Sequence, residues 1–493
     1  MRPSGAMAAF IGRAYELARL ERLLAKVVGG GRAGRPGRAV LLRGRRGVGK
    51  SRLVEELVRR AGVPCLFHSA SGGTRAEQVA ALLDEGAASD LPGARLLAGR
   101  SADSWQAALH LLAEALPVES PSVVVLDGLP ELLAADPGLE EALQAAFARE
   151  LSRRPALLVL IGSDLAVMEA VNQRGRPFYM RATDMLLHPL SPADVADALG
   201  LPAAEAVDAR LVSGGLPLIC REWTPGLAVP EYLRRALSHP ASPLVVAGER
   251  ILAAEAPAGT QARTVLAAVG AGHRSHSAIG RAVPAVPRAS LNRALQSLVE
   301  RRLVTASLPL STRPSRETRY HVTDGHLRFW LAFIGPRLPE IARDRGDLVL
   351  ARLLRSWDAW REAAVKPLVR ASLRRMGGLP EGTGAIGGYW TRTDDPEIDI
   401  VGADEEPVGR RVTLVGSVTW REDRPFDRRD LDALIVRRSR MPGADAGTPL
   451  FAVSRSGSAT AEVTPVTPEQ LVDAWRPGPP PPPEPPGSRP RTG

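Results

Sequence analysis

The chain has 493 residues, enough by length for about three domains, and its 44% apolar content is sufficient to build packed cores. No run of about 18 apolar residues is present to span a membrane, the first residues lack the apolar stretch of a signal peptide, and two cysteines, Cys65 and Cys220, exclude a disulfide framework or zinc set and fit a reducing cytoplasm. The net charge of +10 and the pI near 10.4 favour an acidic partner such as nucleic acid, although an Arg-, Ala- and Pro-rich vocabulary also follows from genome base composition.

The first half alternates short apolar runs with amphipathic stretches. "RAVLLRG" (38–44), "VPCLFHSA" (63–70), "SVVVLDG" (122–128) and "ALLVLIGS" (156–163) read as buried strands, with helices over 51–60, 104–115 and 139–151 between them. Strands separated by helices predict an α/β fold with a parallel sheet covered on both faces. From 191 to 237 the pattern is helical and broken, with "SGGLPL" at 213–218. Residues 250–335 read as a small helical unit followed by two short strands. Residues 340–455 begin helical and then carry "EIDIVGAD" (397–404), "RRVTLVGSVTW" (410–420) and "TPLFAVSR" (448–455), which read as strands. The proline-rich end from 476 predicts an extended tail.

"GRRGVGKS", Gly44 to Ser51, satisfies G-x-x-x-x-G-K-[ST] between a strand and a helix, the context that gives the pattern its meaning. Gly47 and Gly49 free the backbone to turn its N–H groups towards phosphate, and the helix N-terminus adds partial positive charge. Lys50 is expected on the β- and γ-phosphates and Ser51 on Mg²⁺, with Gly44, Val48 and Arg52 completing the nucleotide-binding loop. Lys26, Lys50 and Lys366 are the only lysines in the chain. A loop wrapped around phosphate accepts a compact ammonium where a planar guanidinium is too wide, so the lysine at 50 points to phosphate binding. Asp127, ending the run "SVVVLDG", is the second expected holder of Mg²⁺; the plainer reading is an aspartate that starts a turn.

The series "FIGRAYELARLERLL" (10–24), "GRRGVGKSRL", "SVVVLDGLPEL", "LLVLIGSDLAVME" (157–169), "GRPFYMRATDMLLHPLS" (175–191), "SGGLPL" and "YHVTDGHLRFWLAFIGP" (320–336) resembles the archaeal-type ATPases of the STAND branch of AAA+-like P-loop proteins. The resemblance implies adenine-side packing by Phe10, Ile11, Gly12 and Arg13. It implies a γ-phosphate sensor at Ser163, a helical lid including Gly214, Gly215 and Pro217, and a phosphate contact by Arg181. The family's usual Asp-Glu is Asp127-Gly128 here. Glycine cannot orient the attacking water, so binding without fast hydrolysis is expected, with Glu131 as the stand-in base.

Residues 260–323 read as a winged helix, with helices near 261–269 and 277–282, a third over 289–304 that places Leu291, Leu295 and Leu298 on one face, and a wing hairpin. Arg288, Arg293, Arg301 and Arg302 surround the third helix, where a DNA-reading helix needs positive charge; such modules also serve as internal packing units. The C-terminal domain resembles the restriction-endonuclease-like partner domain of the family. Glu397 and Asp399 supply its first carboxylates, but Ser417 and Thr419 stand where the second carboxylate and the lysine are expected, and Glu362 adds at most one ligand.

The expected organisation is a P-loop ATPase core over 1–190, a helical lid over 191–249, a winged helix over 250–338, a degenerate PD-(D/E)xK-like α/β domain over 339–458 and a tail over 459–493. The expected function is an ATP- and Mg²⁺-binding switch with slow hydrolysis. The alternative is a duplex-DNA-binding protein with a structural nucleotide, and nuclease activity is disfavoured. A cytoplasmic location without membrane contact is expected, and self-association is left open.

Overall fold

The computed structural model describes residues 10–28, 36–256 and 259–476. They divide into two compact units, Met1–Pro309 with Ser315–Arg361 and Leu310–Pro314 with Glu362–Gly493.

The first unit contains β1 (Arg38–Arg43), β2 (Cys65–Ser69), β3 (Ser122–Asp127), β4 (Ala156–Gly162) and β5 (Thr183–Leu186). They form one sheet in the order β2-β3-β4-β1-β5 with every pair parallel. Side chains alternate between two apolar layers. Val123 and Val125 join Val40 and Leu42 on one face, whereas Val124 and Leu126 join Leu41 and Leu158 on the other. Helices Ala14–Val28 and Lys50–Ala61 supply Leu17, Leu20, Leu53 and Leu57 to the first layer; Trp105–Ala115 and Leu139–Arg149 supply Leu109, Leu112 and Leu143 to the second. Burial on both faces is why β1, β3 and β4 read as unbroken apolar runs. β5 escapes that signal because it is a four-residue edge strand with only Met185 buried.

After the sheet come helices Ala203–Ser213, Pro217–Glu222, Val229–Leu237 and Pro243–Glu255, then Thr260–Gly270, His276–Ala282 and Arg288–Glu300. β6 (Val304–Ser307) and β7 (Arg319–Val322) then pair antiparallel, and a lone bridge joins Ser275 to Arg319. Leu291, Leu295 and Leu298 are all buried, as their helical spacing requires. The lid and three-helix segments, expected as separate domains, share a compact unit with the sheet. One reason is the next helix, Gly325–Phe333, where Trp330 Nε1 donates to the Val245 carbonyl at 2.7 Å. Gly248 makes room for that indole, since a Cβ there would lie 2.3 Å from the ring.

Within this unit Arg361 Nη1 reaches Asp208 Oδ2 at 2.8 Å with both side chains buried. Arg361 Nη2 also donates to the exposed Asp358 at 2.9 Å, so removing Asp208 weakens rather than abolishes the pairing of the buried guanidinium, and Asp208→Ala is expected to lower unfolding stability by about 1–3 kcal/mol. Calorimetric melting checks this, and an unchanged melting temperature would count against it.

The second unit holds β8 (Ala385–Trp390), β9 (Glu397–Ala403), β10 (Val412–Thr419), β11 (Leu450–Ser454) and β12 (Thr464–Val466) in the order β12-β11-β10-β9-β8. The β8–β9 and β9–β10 pairs are antiparallel and the other two parallel. β8 escaped the sequence pattern because "AIGGYW" carries two glycines, which weaken a strand signal.

Residues 464–473, expected as part of the tail, are instead structured. β12 and helix Pro468–Asp473 belong to this unit, and Trp475 donates to Ser372 Oγ at 2.8 Å beneath the Arg375 guanidinium, 3.7 Å from its ring centroid. The rest of the expected tail, 477–493, lies outside the described residues. Among the described residues no helix is long and apolar enough to cross a membrane.

Candidate functional site

All five strands of the first sheet point their C-terminal ends to one edge, and the loop after β1 opens there. Gly47 and Gly49 have φ of 83° and 92°, the left-handed region that favours glycine, and Gly49 caps the helix Lys50–Ala61. Gly44 is buried beneath the loop; a Cβ there would lie 2.5 Å from the Leu187 carbonyl oxygen. Lys50 lies across the loop, with Nζ donating to the Gly44 carbonyl at 2.8 Å, the Arg45 carbonyl at 3.0 Å and Ser163 Oγ at 2.8 Å. Burial pulls its ammonium down from 10.5 to about 8, with the nearby Asp127 and Glu255 charges opposing the shift. It is therefore still mainly protonated at neutral pH.

Ser51 Oγ donates to Asp127 Oδ2 at 2.5 Å. One hydroxyl and one carboxylate at the mouth of a phosphate loop suit Mg²⁺, which takes few protein ligands and completes its shell with phosphate and water. Gly128, next after Asp127, has φ of 92°, and a Cβ built on it would lie 2.7 Å from Ala70 Cβ. The same point lies 3.4 Å from Glu131 Oε2. The Glu131 carboxylate thus occupies space beside the absent residue-128 side chain.

These groups line one cleft of about 770 Å³, within the range of a nucleotide pocket. Phe10, Ile11, Pro217 and Leu218 form its apolar wall, and Arg52 also lines it. Val48 is fully buried and anchors the loop in the core. Arg13, with φ of 67°, is buried and donates through Nη2 to the Val48 carbonyl at 2.9 Å and through Nη1 to Glu16 at 3.1 Å. It therefore fixes the loop from behind as well as lining the cleft. Gly12 packs where a Cβ would lie 2.8 Å from Asp194 Oδ1. Pro217 meets the loop directly, its Cγ lying 3.5 Å from where a Gly49 Cβ would sit. Gly214 and Gly215 lie behind it, against the backbone of His326 and the Leu190 carbonyl, and do not line the cleft.

Arg181 is not brought to this cleft. β5 pairs with β1 from Val40–Thr183 to Arg43–Leu186, so residue 181 precedes the strand at the edge away from the loop. It lines a smaller cavity of about 330 Å³ with Gly37, Arg38 and Phe147, away from the phosphate loop. The loop instead has two cationic neighbours that the sequence reading missed, Arg46 and Arg221. Arg46 was visible inside the motif; Arg221 carries no local signal.

Among the arginines around the third helix, Arg288, Arg293 and Arg301 are exposed. Arg302 is engaged by the sheet-bearing core. Its Nη2 donates to Glu169 Oε2 at 2.8 Å, its carbonyl accepts from Arg45 Nη2, and its φ of 58° holds the chain in a left-handed turn.

In the second unit Asp399 is buried, accepts the Val418 N–H at 3.0 Å and lies 2.6 Å from Lys366 Nζ. A lysine from the helix Gly346–Leu373 thus neutralises the carboxylate, while Thr419 remains at the position expected for lysine. The scarcity that marked Lys50 marks Lys366 equally. Glu362 accepts from Arg421 Nη2 at 3.0 Å, so it is tied up in an ion pair. Among the described residues no group of three His, Cys, Asp or Glu is placed to hold a metal.

A parallel β2-β3-β4-β1-β5 sheet with a lysine-bearing phosphate loop after β1 and an aspartate ending β3 defines a P-loop nucleoside triphosphatase domain. Residues 9–161 match the family model described as AAA ATPase domain, and residues 330–430 match one described as archaea bacterial proteins of unknown function. Similar solved structures include the Walker-type ATPase PABY2304 of Pyrococcus abyssi, at 18% identity and TM-score 0.45 over 67% of this chain and 98% of that one. The Aeropyrum pernix ORC1 protein in complex with DNA has 18% identity and TM-score 0.36 over 71% of this chain and 97% of that one. The STAND protein PH0952 of Pyrococcus horikoshii, with a tetratricopeptide repeat sensor, has 14% identity and TM-score 0.29 over 76% of this chain and 51% of that one. No curated protein matches the chain significantly.

Proposed function

We propose that the protein is an ATP-binding switch whose hydrolysis is slow. The convergence of Lys50, the Ser51–Asp127 pair and Ser163 in one cleft, with no side chain at 128, carries this reading. Lys50 would hold the β- and γ-phosphates, Phe10 and Ile11 would pack the base, and Ser163 would sense the terminal phosphate. Ser51 and Asp127 would hold Mg²⁺, which would neutralise phosphate charge when bound. Three carboxylates line the cleft. Asp127 holds Ser51, Glu55 pairs with Arg52 at 3.0 Å, and Glu131 is the one left to orient a water. An exposed base three residues beyond the usual position orients water loosely, which supports slow turnover. Pro217 against the loop supports coupling of the lid to the nucleotide.

ATP turnover measured with and without duplex DNA tests the proposal. The expected rate is about 10⁻² per second or slower. Fast turnover in the absence of any partner would overturn it.

A second reading, DNA contact through the winged helix, is favoured by the exposed Arg288 and Arg293 on the helix Arg288–Glu300. Retardation of duplex DNA at low salt is expected, weakened in an Arg288→Ala/Arg293→Ala double variant. No retardation of any duplex would remove this reading.

A further inference from the structure

A carboxylate distant in sequence meets the phosphate loop. Glu255 ends the helix Pro243–Glu255. It accepts a hydrogen bond from the backbone N–H of Arg46, and its Oε2 lies 3.8 Å from Arg45 Nη1. Lys50 feels its charge next after that of Asp127. The side chain is 19% exposed, and burial pushes its carboxyl above the usual range. Glu255 does not itself line the cleft, but an anion on a loop N–H, beside a loop arginine and within the field of the loop lysine, lies close enough to oppose a nucleotide's outer phosphates.

The same arginine extends the contact. Arg45 Nη1 lies 3.8 Å from Asp324 Oδ2, and Arg45 Nη2 donates to the Arg302 carbonyl. Asp324 caps the helix Gly325–Phe333, accepting from the Leu327 N–H at 2.8 Å. Arg302 in turn holds Glu169, which also accepts from Arg43 Nη1 at 2.6 Å at the end of β1. The loop, the end of the lid and the base of the β6–β7 hairpin are therefore joined by one chain of charged contacts.

We propose that Glu255 is an internal stand-in for the terminal phosphates of ATP, which must expel it to bind and thereby loosens the Arg45 link to Asp324 and Arg302. This rests on the ATP-binding reading above. Two anions cannot share the loop at close range without a large repulsion in a partly buried site. The coupling is reciprocal, so any partner that draws the helix Pro243–Glu255 away from the loop raises the affinity for ATP by the same factor.

The test is Glu255→Gln, which keeps the shape and the acceptor for Arg46 but removes the charge. Calorimetric titration is expected to give about tenfold tighter ATP binding, with AMP, which lacks the outer phosphates, unchanged. ATP binding that is unchanged or weaker, or an equal gain for AMP, overturns the proposal. In the wild-type protein, amide hydrogen exchange over 249–256 is expected to rise on saturation with ATP; unchanged exchange in saturated protein also overturns it. If neither protein binds ATP, the functional reading fails and this inference with it. If both bind ATP equally, the functional reading stands and only the inference fails.

Discussion

An Lys50→Ala variant is expected to bind ATP at least about a hundredfold more weakly than wild type. Two charge-assisted hydrogen bonds to phosphate, at about 1.5–3 kcal/mol each, exceed the roughly 2.7 kcal/mol that a hundredfold represents. The ammonium is already placed, since its three partners fix it beneath the loop mouth. Its depressed pKa also gives the binding a pH signature. Phosphate stabilises the charged form, so bound nucleotide raises the pKa above about 8. Wild-type affinity should therefore be flat below pH 8 and fall as the free protein loses its proton above it, whereas the alanine variant should lack this fall. Titration of a fluorescent ATP analogue across pH measures both. Equal binding by the two proteins would sink the central claim.

A Glu131→Gln variant is expected to keep ATP affinity and lose turnover on the order of a hundredfold, the lower range for removal of a general base. Gly128→Glu should not replace it. The backbone at 128 has φ of 92°, costing a side chain about 1–3 kcal/mol, and the new Cβ would lie 2.7 Å from Ala70 Cβ. Its carboxylate would also compete with Glu131 for the same space. The expected result is a lower melting temperature and no gain in turnover. Robust turnover in Glu131→Gln, or faster turnover in Gly128→Glu, would show that another group activates the water.

How much was legible depended on how local each feature is. β1, β3 and β4 were visible because central parallel strands are buried on both faces and so read as solid apolar runs, and the edge strand β2 was visible through its apolar Cys65, Leu66 and Phe67. β5 and β8 were not, one being a short edge strand and the other glycine-rich. Arg181 was placed at the phosphates by resemblance; the β1–β5 register puts it at the far edge of the sheet. The pairing of Lys366 with Asp399 had a hint in lysine scarcity, but its partner lies on a strand well beyond the helix that carries it. The lid and three-helix segments looked separable because composition marks their ends, whereas Trp330–Val245 holds the lid to the helix after the hairpin and Arg302–Glu169 ties that region to the sheet-bearing core.

The sequence by itself determined the phosphate loop, its lysine and the glycine at 128. Each is written in a few contiguous residues whose backbone geometry needs those residue types. Only the tertiary structure decided that Glu131 fills the space beside Gly128 and that Glu255 and Arg45 meet at the loop. The Glu255 contact joins groups about two hundred residues apart in sequence. The charge of a side chain is local, but whether it opposes or assists a phosphate depends on the distance that folding sets.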